Sequence, residues 1–310
     1  MNHIIEAQNI TKSFIKKVAL NEVSINIPEN SIFGLLGPNG AGKTTFIRIL
    51  NQIYFPDKGE ILFKKRQLKS DDVLKFGYLP EERGLYKKMR VGEQIIYFGR
   101  LRGLTKKEAY ENAILWLEDL NIRDWWTKKI EELSKGMQQL IQFIVAILHK
   151  PEFIILDEPF SGLDPINSNI IKQKILQLKE KGSTIVLSTH DMNSVEELCE
   201  YVALINNSNV VLQGKVEDIK QKFKENIYRL VCKGNFENLN KLSEEKVGII
   251  NVFKKYDSII DVQLKLKNNF TGNDLLKDIL NNFEILHFSE QLPHMNEIFI
   301  NIVKRNRVDI

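Results

Sequence analysis

Gly37-Pro38-Asn39-Gly40-Ala41-Gly42-Lys43-Thr44 fits the pattern G-x-x-x-x-G-K-[ST] at every fixed position. Glycines let the backbone curl so that its N–H groups point inward, and such a nest at a helix N-terminus holds phosphate oxygens. Lys43 would reach the β- and γ-phosphates, the Thr44 hydroxyl would ligate Mg²⁺, and Thr45 follows in the same turn. A second group is Asp157-Glu158-Pro159. Asp157 can hold Mg²⁺ through water, and Glu158 can polarise a water for in-line attack on the γ-phosphate. Each group alone has a plainer reading, a glycine-rich turn or an acidic strand end. Their joint occurrence favours cleavage of a nucleoside triphosphate.

The flanking elements are those such a site requires. The apolar run Ile32-Phe33-Gly34-Leu35-Leu36 predicts a buried strand before the loop, and the spacing of Phe46, Ile47, Leu50 and Ile53 predicts a helix after it. Phe153-Ile154-Ile155-Leu156 reads as a strand buried on both faces of a parallel sheet, so Asp157 ends beside the phosphate loop. Residues 3–10 and 22–27 alternate as an antiparallel edge sheet, with Phe14 in the loop between them. Residues 90–150 are mostly helical, over 93–101, 106–120 and a helix beginning near Ser134. Trp116, Trp125 and Trp126 lie in that block and read as core rather than as a stacking platform. Strands at 202–205 and 210–212 flank Asn206-Asn207-Ser208-Asn209, a hairpin that closes the first domain. Beyond about residue 220 the order is β-α-β-β-α-β, which predicts a small ferredoxin-like α+β domain.

Four further segments occur in a fixed order. Thr11-Lys12-Ser13-Phe14 lies near the start, and Leu133-Ser134-Lys135-Gly136-Met137-Gln138-Gln139 opens an apolar helix. Ser161-Gly162-Leu163-Asp164-Pro165 follows the acidic pair, and Ser188-Thr189-His190-Asp191 ends the strand 184–187. With these, the chain resembles the nucleotide-binding subunits of ABC transporters over roughly its first two-thirds, the length of one domain. The resemblance implies an α/β P-loop NTPase core, a mostly parallel sheet plus an antiparallel edge sheet and a helical arm at 90–150. It implies an ATPase using ATP and Mg²⁺, with Phe14 against adenine, Glu158 as catalytic acid and His190 as switch histidine. Ser134 and Gly136 would form the signature motif acting in trans, in a head-to-tail dimer with a second copy, and Asp164 would belong to the D-loop.

Two motifs depart from the family's pattern. Lys135 and Met137 stand where the signature usually has glycine and glutamine. Glu81 stands where a glutamine contacts Mg²⁺ and water; its carboxylate still ligates the metal but adds charge, which Arg83 would offset. Residues 78–86 are similar to a sodium-extrusion exporter branch, and Leu292 to Phe299 resemble the C-terminal extension of exporter ATPases. The expectation is therefore an exporter ATPase, cargo Na⁺ or else a drug, lipid or polysaccharide, with a coupling surface between 81–89 and 93–101. A non-transport ABC ATPase of translation, DNA repair or cell division is the alternative; a GTPase or small-molecule kinase fails on the signature motif and the switch histidine.

Bulk properties agree. The chain's 310 residues allow two domains, placed at 1–220 and 221–310. Its 44 basic and 40 acidic residues leave +4, which does not suggest a nucleic-acid partner. Cys199 and Cys232 have neither metal nor disulfide spacing, as in a reducing cytosol. The N-terminus does not read as a signal peptide, and no apolar run nears the ~20 residues that cross a bilayer. Any pore would belong to a membrane-spanning permease partner, with this chain peripheral on the inner face of the cell membrane. His3, His149, His287 and His294 lack ligand spacing.

Overall fold

An antiparallel ladder starts the chain. β1 (His3–Phe14) pairs with β2 (Lys17–Pro28), whose buried Val23, Ile25 and Ile27 alternate with Ser24 and Asn26. The computed structural model describes residues 2–15, 17–82, 84–241, 247–256, 258–267 and 270–308, so Arg83 and its expected charge compensation lie outside the described residues. Phe14, expected in a loop, is instead the last residue of β1, paired with Lys17. β3 (Ile32–Leu36), α1 (Lys43–Leu50), β4 (Lys58–Phe63), β5 (Arg66–Gln67), α2 (Ser70–Val73) and β6 (Gly77–Leu79) follow. The expected helix through Ile53 stops at Leu50. Gln52 takes a left-handed backbone (φ 52) that turns the chain, and leaves Ile53 53 % exposed.

The helical block is α3 (Val91–Leu101), α4 (Lys106–Asp119) and α5 (Lys135–Ile147). Then come β7 (Phe153–Asp157), α6 (Pro165–Glu180), β8 (Thr184–Ser188), α7 (Met192–Leu198), β9 (Tyr201–Asn206) and β10 (Asn209–Lys215). Asn207 and Ser208 both have positive φ, 46 and 67, which suits a two-residue hairpin between β9 and β10.

Two sheets face one core in this first unit. The antiparallel sheet has the order β2-β1-β4-β5; the larger has β10-β9-β3-β8-β7-β6, parallel except where β10 meets β9. Every residue of β3, β7 and β8 is buried, the reason their sequences are continuous apolar runs. Ile5, Ile25 and Phe63 of the first sheet, Phe46 and Leu50 of α1, and Phe33 and Phe153 of the second form one cluster. Burying such side chains contributes about 1.5–3 kcal/mol each. A separate cluster joins Ile95 of α3, Ala113 and Leu117 of α4, and Ile141 and Ile144 of α5. Trp116, Trp125 and Trp126 are partly buried and pack against it, so all three border the core rather than fill it.

A second compact unit spans Glu217–Val308. It holds most of α8 (Val216–Lys222), then β11 (Ile227–Lys233), α9 (Phe236–Lys241), β12 (Val247–Tyr256), β13 (Ile259–Leu266), α10 (Gly272–Leu280), β14 (Glu284–Gln291) and α11 (Met295–Val308). The sheet order β12-β13-β11-β14 is antiparallel throughout, the ferredoxin-like arrangement. Leu230, Val262, Leu264, Leu275 and Ile279 fill its core, and Thr271 caps α10 with Asp274 in a capping box.

Candidate functional site

The parallel strands bring the predicted residues together because β3, β8, β7 and β6 end on the same side of the sheet. From β3 the chain enters the glycine loop. A Cβ at Gly37 would stand 2.2 Å from the Ile205 carbonyl oxygen, and one at Gly42 2.4 Å from that of Ala19. Their φ values, 149 and 122, also disfavour any side chain. Gly42 caps α1 with no side-chain hydrogen bond, and no acid lies in the first turn, so the helix presents bare N–H groups.

Lys43 is buried and donates through Nζ to the carbonyls of Gly37 (2.7 Å) and Pro38 (3.3 Å). Burial pushes its pKa below the ordinary lysine value, against the pull of Glu158, Asp157 and Glu81. A cavity of about 390 Å³ opens over the loop. Asn39, Gly40, Gly42, Lys43, Thr44 and Thr45 line one side, Glu81, Asp157 and Glu158 another, and Phe14 the rim. Phe14 is 43 % exposed, edge-on to Tyr54 with ring centroids 5.4 Å apart. Pro38 and Ala41 shape the loop, the Ala41 N–H donating to the Pro38 carbonyl at 3.2 Å.

Asp157 ends β7 and is 2 % exposed. Burial, with the Glu81 and Glu158 charges nearby, pushes its carboxyl up to about 6. Its Oδ2 and the Ser188 hydroxyl are buried and neither makes a hydrogen bond of good geometry, though the serine lies close enough to pull the carboxyl part of the way back down. An orphaned carboxylate oxygen on the wall that Thr44 and Glu81 share fits a hard divalent cation such as Mg²⁺.

Glu158 has φ 50, a left-handed conformation that costs a non-glycine residue free energy. Its N–H donates to Ser188 O (2.9 Å), tying the strained residue to the end of β8. His190 Nδ1 lies 2.8 Å from Glu158 Oε1; a carboxylate only accepts, so Nδ1 carries the proton. His190 reaches the cavity only through Glu158. The side chains are 75 % and 13 % exposed, so the histidine is the outer partner.

Ser134, Gly136 and Asp164 are not brought to this cavity. Ser134 caps α5, its Oγ accepting from the Met137 N–H (3.2 Å), and Asp164 caps α6 through the Ile166 and Asn167 N–H groups, each 3.0 Å. The two caps adjoin, since a Cβ at Gly136 would lie 3.2 Å from Gly162 O. Sequence reasoning missed Lys17 and Ala19, which also line the cavity. The signal was weak: only the short turn after Phe14 folds Lys17 back toward the loop.

Fold and site define a P-loop nucleotide hydrolase with a helical insertion. Comparison with known proteins narrows the class. The family model described as "ABC transporter" matches residues 20–161, and "ATP-binding protein DrrA1-3-like, C-terminal domain" matches 214–303. An AAA domain model, "putative AbiEii toxin, Type IV TA system", overlaps at 127–196. The uncharacterized ABC transporter ATP-binding protein YhaQ of Bacillus subtilis is 42 % identical over 94 % of this chain and 96 % of its own length. The linearmycin resistance ATP-binding protein LnrL of Bacillus subtilis is 29 % identical over 99 % of this chain and 100 % of its own. Among solved structures, an ATP-binding subunit of an ABC transporter superposes with TM-score 0.66 at 27 % identity, covering 71 % of this chain and 93 % of that one. The dimeric ATP-binding cassette MJ0796, bound to ADP and Pi, gives 0.63 at 25 %, covering 68 % and 98 %. The chain belongs to the ATP-binding subunits of ABC transporters and is an ATPase.

Proposed function

We propose that this chain powers an exporter through a separate membrane-spanning permease, working as a head-to-tail dimer on the inner face of the cell membrane. The observation that carries the ATPase part is the convergence of Lys43, Asp157 and the Glu158–His190 pair on one cavity. Lys43 and the open N–H groups of the loop hold the phosphates, and Phe14 meets the base. Thr44, Asp157 and Glu81 hold Mg²⁺, which when bound neutralises charge on the phosphate oxygens. Glu158 orients the attacking water and accepts its proton, while His190 fixes the Glu158 carboxylate. Ser134, Gly136 and Asp164 face the partner copy, consistent with none of them lining this cavity. In this reading residues 1–220 are the ATPase and 221–310 an accessory domain.

Tyr86, Tyr97 and Leu101 are 53 %, 41 % and 58 % exposed beside the 81–89 segment, and this apolar surface is where we seat the permease. Among the described residues no helix is long and apolar enough to cross a membrane, which agrees with a second chain doing so. For cargo, relatives named for linearmycin resistance, bacitracin transport and lantibiotic transport favour an antimicrobial compound. The expected sodium has no such support.

The test uses the complex with its permease in sealed vesicles. Glu158→Gln should lower ATP turnover by about 10²–10⁴-fold and stop export, yet bind ATP and accumulate as an ATP-bound dimer on gel filtration. Near-normal turnover would remove Glu158 from the role. Turnover without movement of any antimicrobial would sink the cargo assignment.

A further inference from the structure

The phosphate cavity holds a second lysine that lies outside every motif. Lys17 opens β2, paired across the hairpin with Phe14 on the cavity's rim. Its Nζ donates to the carbonyl of Gly40, in the middle of the glycine loop, at 3.1 Å. Among the described residues, a Cβ at Gly40 would meet within 4 Å only that ammonium, at 3.6 Å, so the lysine stands over this glycine. Charge makes the placement informative. Among the described residues, the cavity wall carries three carboxylates, Glu81, Asp157 and Glu158, against two ammonium groups, Lys17 and Lys43. A polyphosphate entering there meets a wall with more acids than cations, and the Lys43 ammonium already serves the Gly37 and Pro38 carbonyls.

We propose that Lys17 is a phosphate-binding residue of the ATP site, turning its remaining donors onto a phosphate oxygen and offsetting the charge that Glu81 adds. An ammonium has three donors, so it can keep the Gly40 carbonyl while taking an anion. The gain is an ion pair with a charged acceptor, stronger than the bond the same ammonium makes to the uncharged Gly40 carbonyl. The inference rests on the ATP-site reading above.

The experiment compares full-length wild type, Lys17→Ala and Lys17→Arg, by calorimetric titration with AMP, ADP and ATP and by melting temperature without nucleotide. Lys17→Ala should bind ATP about tenfold to a hundredfold more weakly, with melting temperature unchanged. The loss should begin at the shortest nucleotide whose phosphate the lysine meets, and shrink as salt is raised. Lys17→Arg should retain most affinity, and adding Glu81→Gln to Lys17→Ala should recover part of the loss. Unchanged ATP affinity in Lys17→Ala would overturn the proposal. So would a lowered melting temperature with AMP, ADP and ATP all weakened alike and no recovery in the arginine or Glu81→Gln variants, the mark of a strut under the loop. Failure of the underlying reading looks different: wild type would not bind ATP, or Lys43→Ala would bind it normally.

Discussion

Glu158 and Asp157 are chain neighbours with opposite surroundings. Asp157 finishes a buried strand with an unpartnered oxygen, whereas Glu158 is turned by a left-handed backbone toward His190. The acid pair was legible in the sequence as chemistry; the turn that separates the two side chains was not, because φ at Glu158 is set by its N–H bond to Ser188. His149 shows the same limit. Without ligand spacing in the sequence, it donates from Nε2 to Phe76 O, has Nδ1 buried without a partner, and is pushed down to about 4 by burial and then by Arg102. The folded state therefore favours neutral His149, while the unfolded chain binds a proton near its ordinary value of about 6.5. Stability is undiminished above that value and falls as pH drops from about 6.5 to 4, by on the order of 2–3 kcal/mol from this group. Urea melts across that range should show the slope, and His149→Gln should flatten it; an unchanged slope would remove His149 as its source.

At the scale of elements, strands and helices were legible wherever period and burial agree. β3 and β7 are continuous apolar runs because neighbours cover both faces, and α4 starts at Thr105, whose Oγ caps Glu108 N–H in a reciprocal box. Ends were less legible. α1 stops before Ile53 because of a left-handed Gln52, and β1 runs on to Phe14 because its partner does. The helical arm turns on a contact no period could show: Gly92 in α3 lies under the Trp126 ring, where a Cβ would stand 2.4 Å from the indole. Trp126 is held from its other sides by Tyr110 and Arg123, so it has little room to move. Gly92→Ala should thus cost about 1–3 kcal/mol by overpacking. Thermal denaturation with tryptophan fluorescence checks this, and a variant as stable as wild type would show that the ring can shift.

At the scale of the molecule, one copy supplies a phosphate cavity and, away from it, the capped N-termini bearing Ser134 and Asp164. In the proposed dimer these complete each other's sites. Mixing Lys43→Ala subunits with Ser134→Arg subunits should then leave one composite site intact and restore part of the activity that each variant alone lacks. Absence of recovery, with mixed dimers confirmed by affinity tags, would exclude the head-to-tail arrangement.

What the sequence determined by itself was the chemistry and the class: phosphate loop, acidic pair, signature and histidine are contiguous motifs, and contiguous motifs survive in one dimension. It also carried the ferredoxin-like order of the second unit, since strand and helix periods alternate cleanly from Ile227 to Gln291. Only the tertiary structure decided which charges share a wall. Glu81 and Asp157 follow from the ends of β6 and β7, hydrogen-bonded neighbours of the larger sheet, whereas Lys17 opens β2 of the other sheet; the three share a wall because the two sheets pack over one core, which sequence distance does not set. The same holds for the orphaned Asp157 oxygen and the Glu158–His190 bond: each is fixed by burial and by the neighbouring strand β8, which no local pattern encodes.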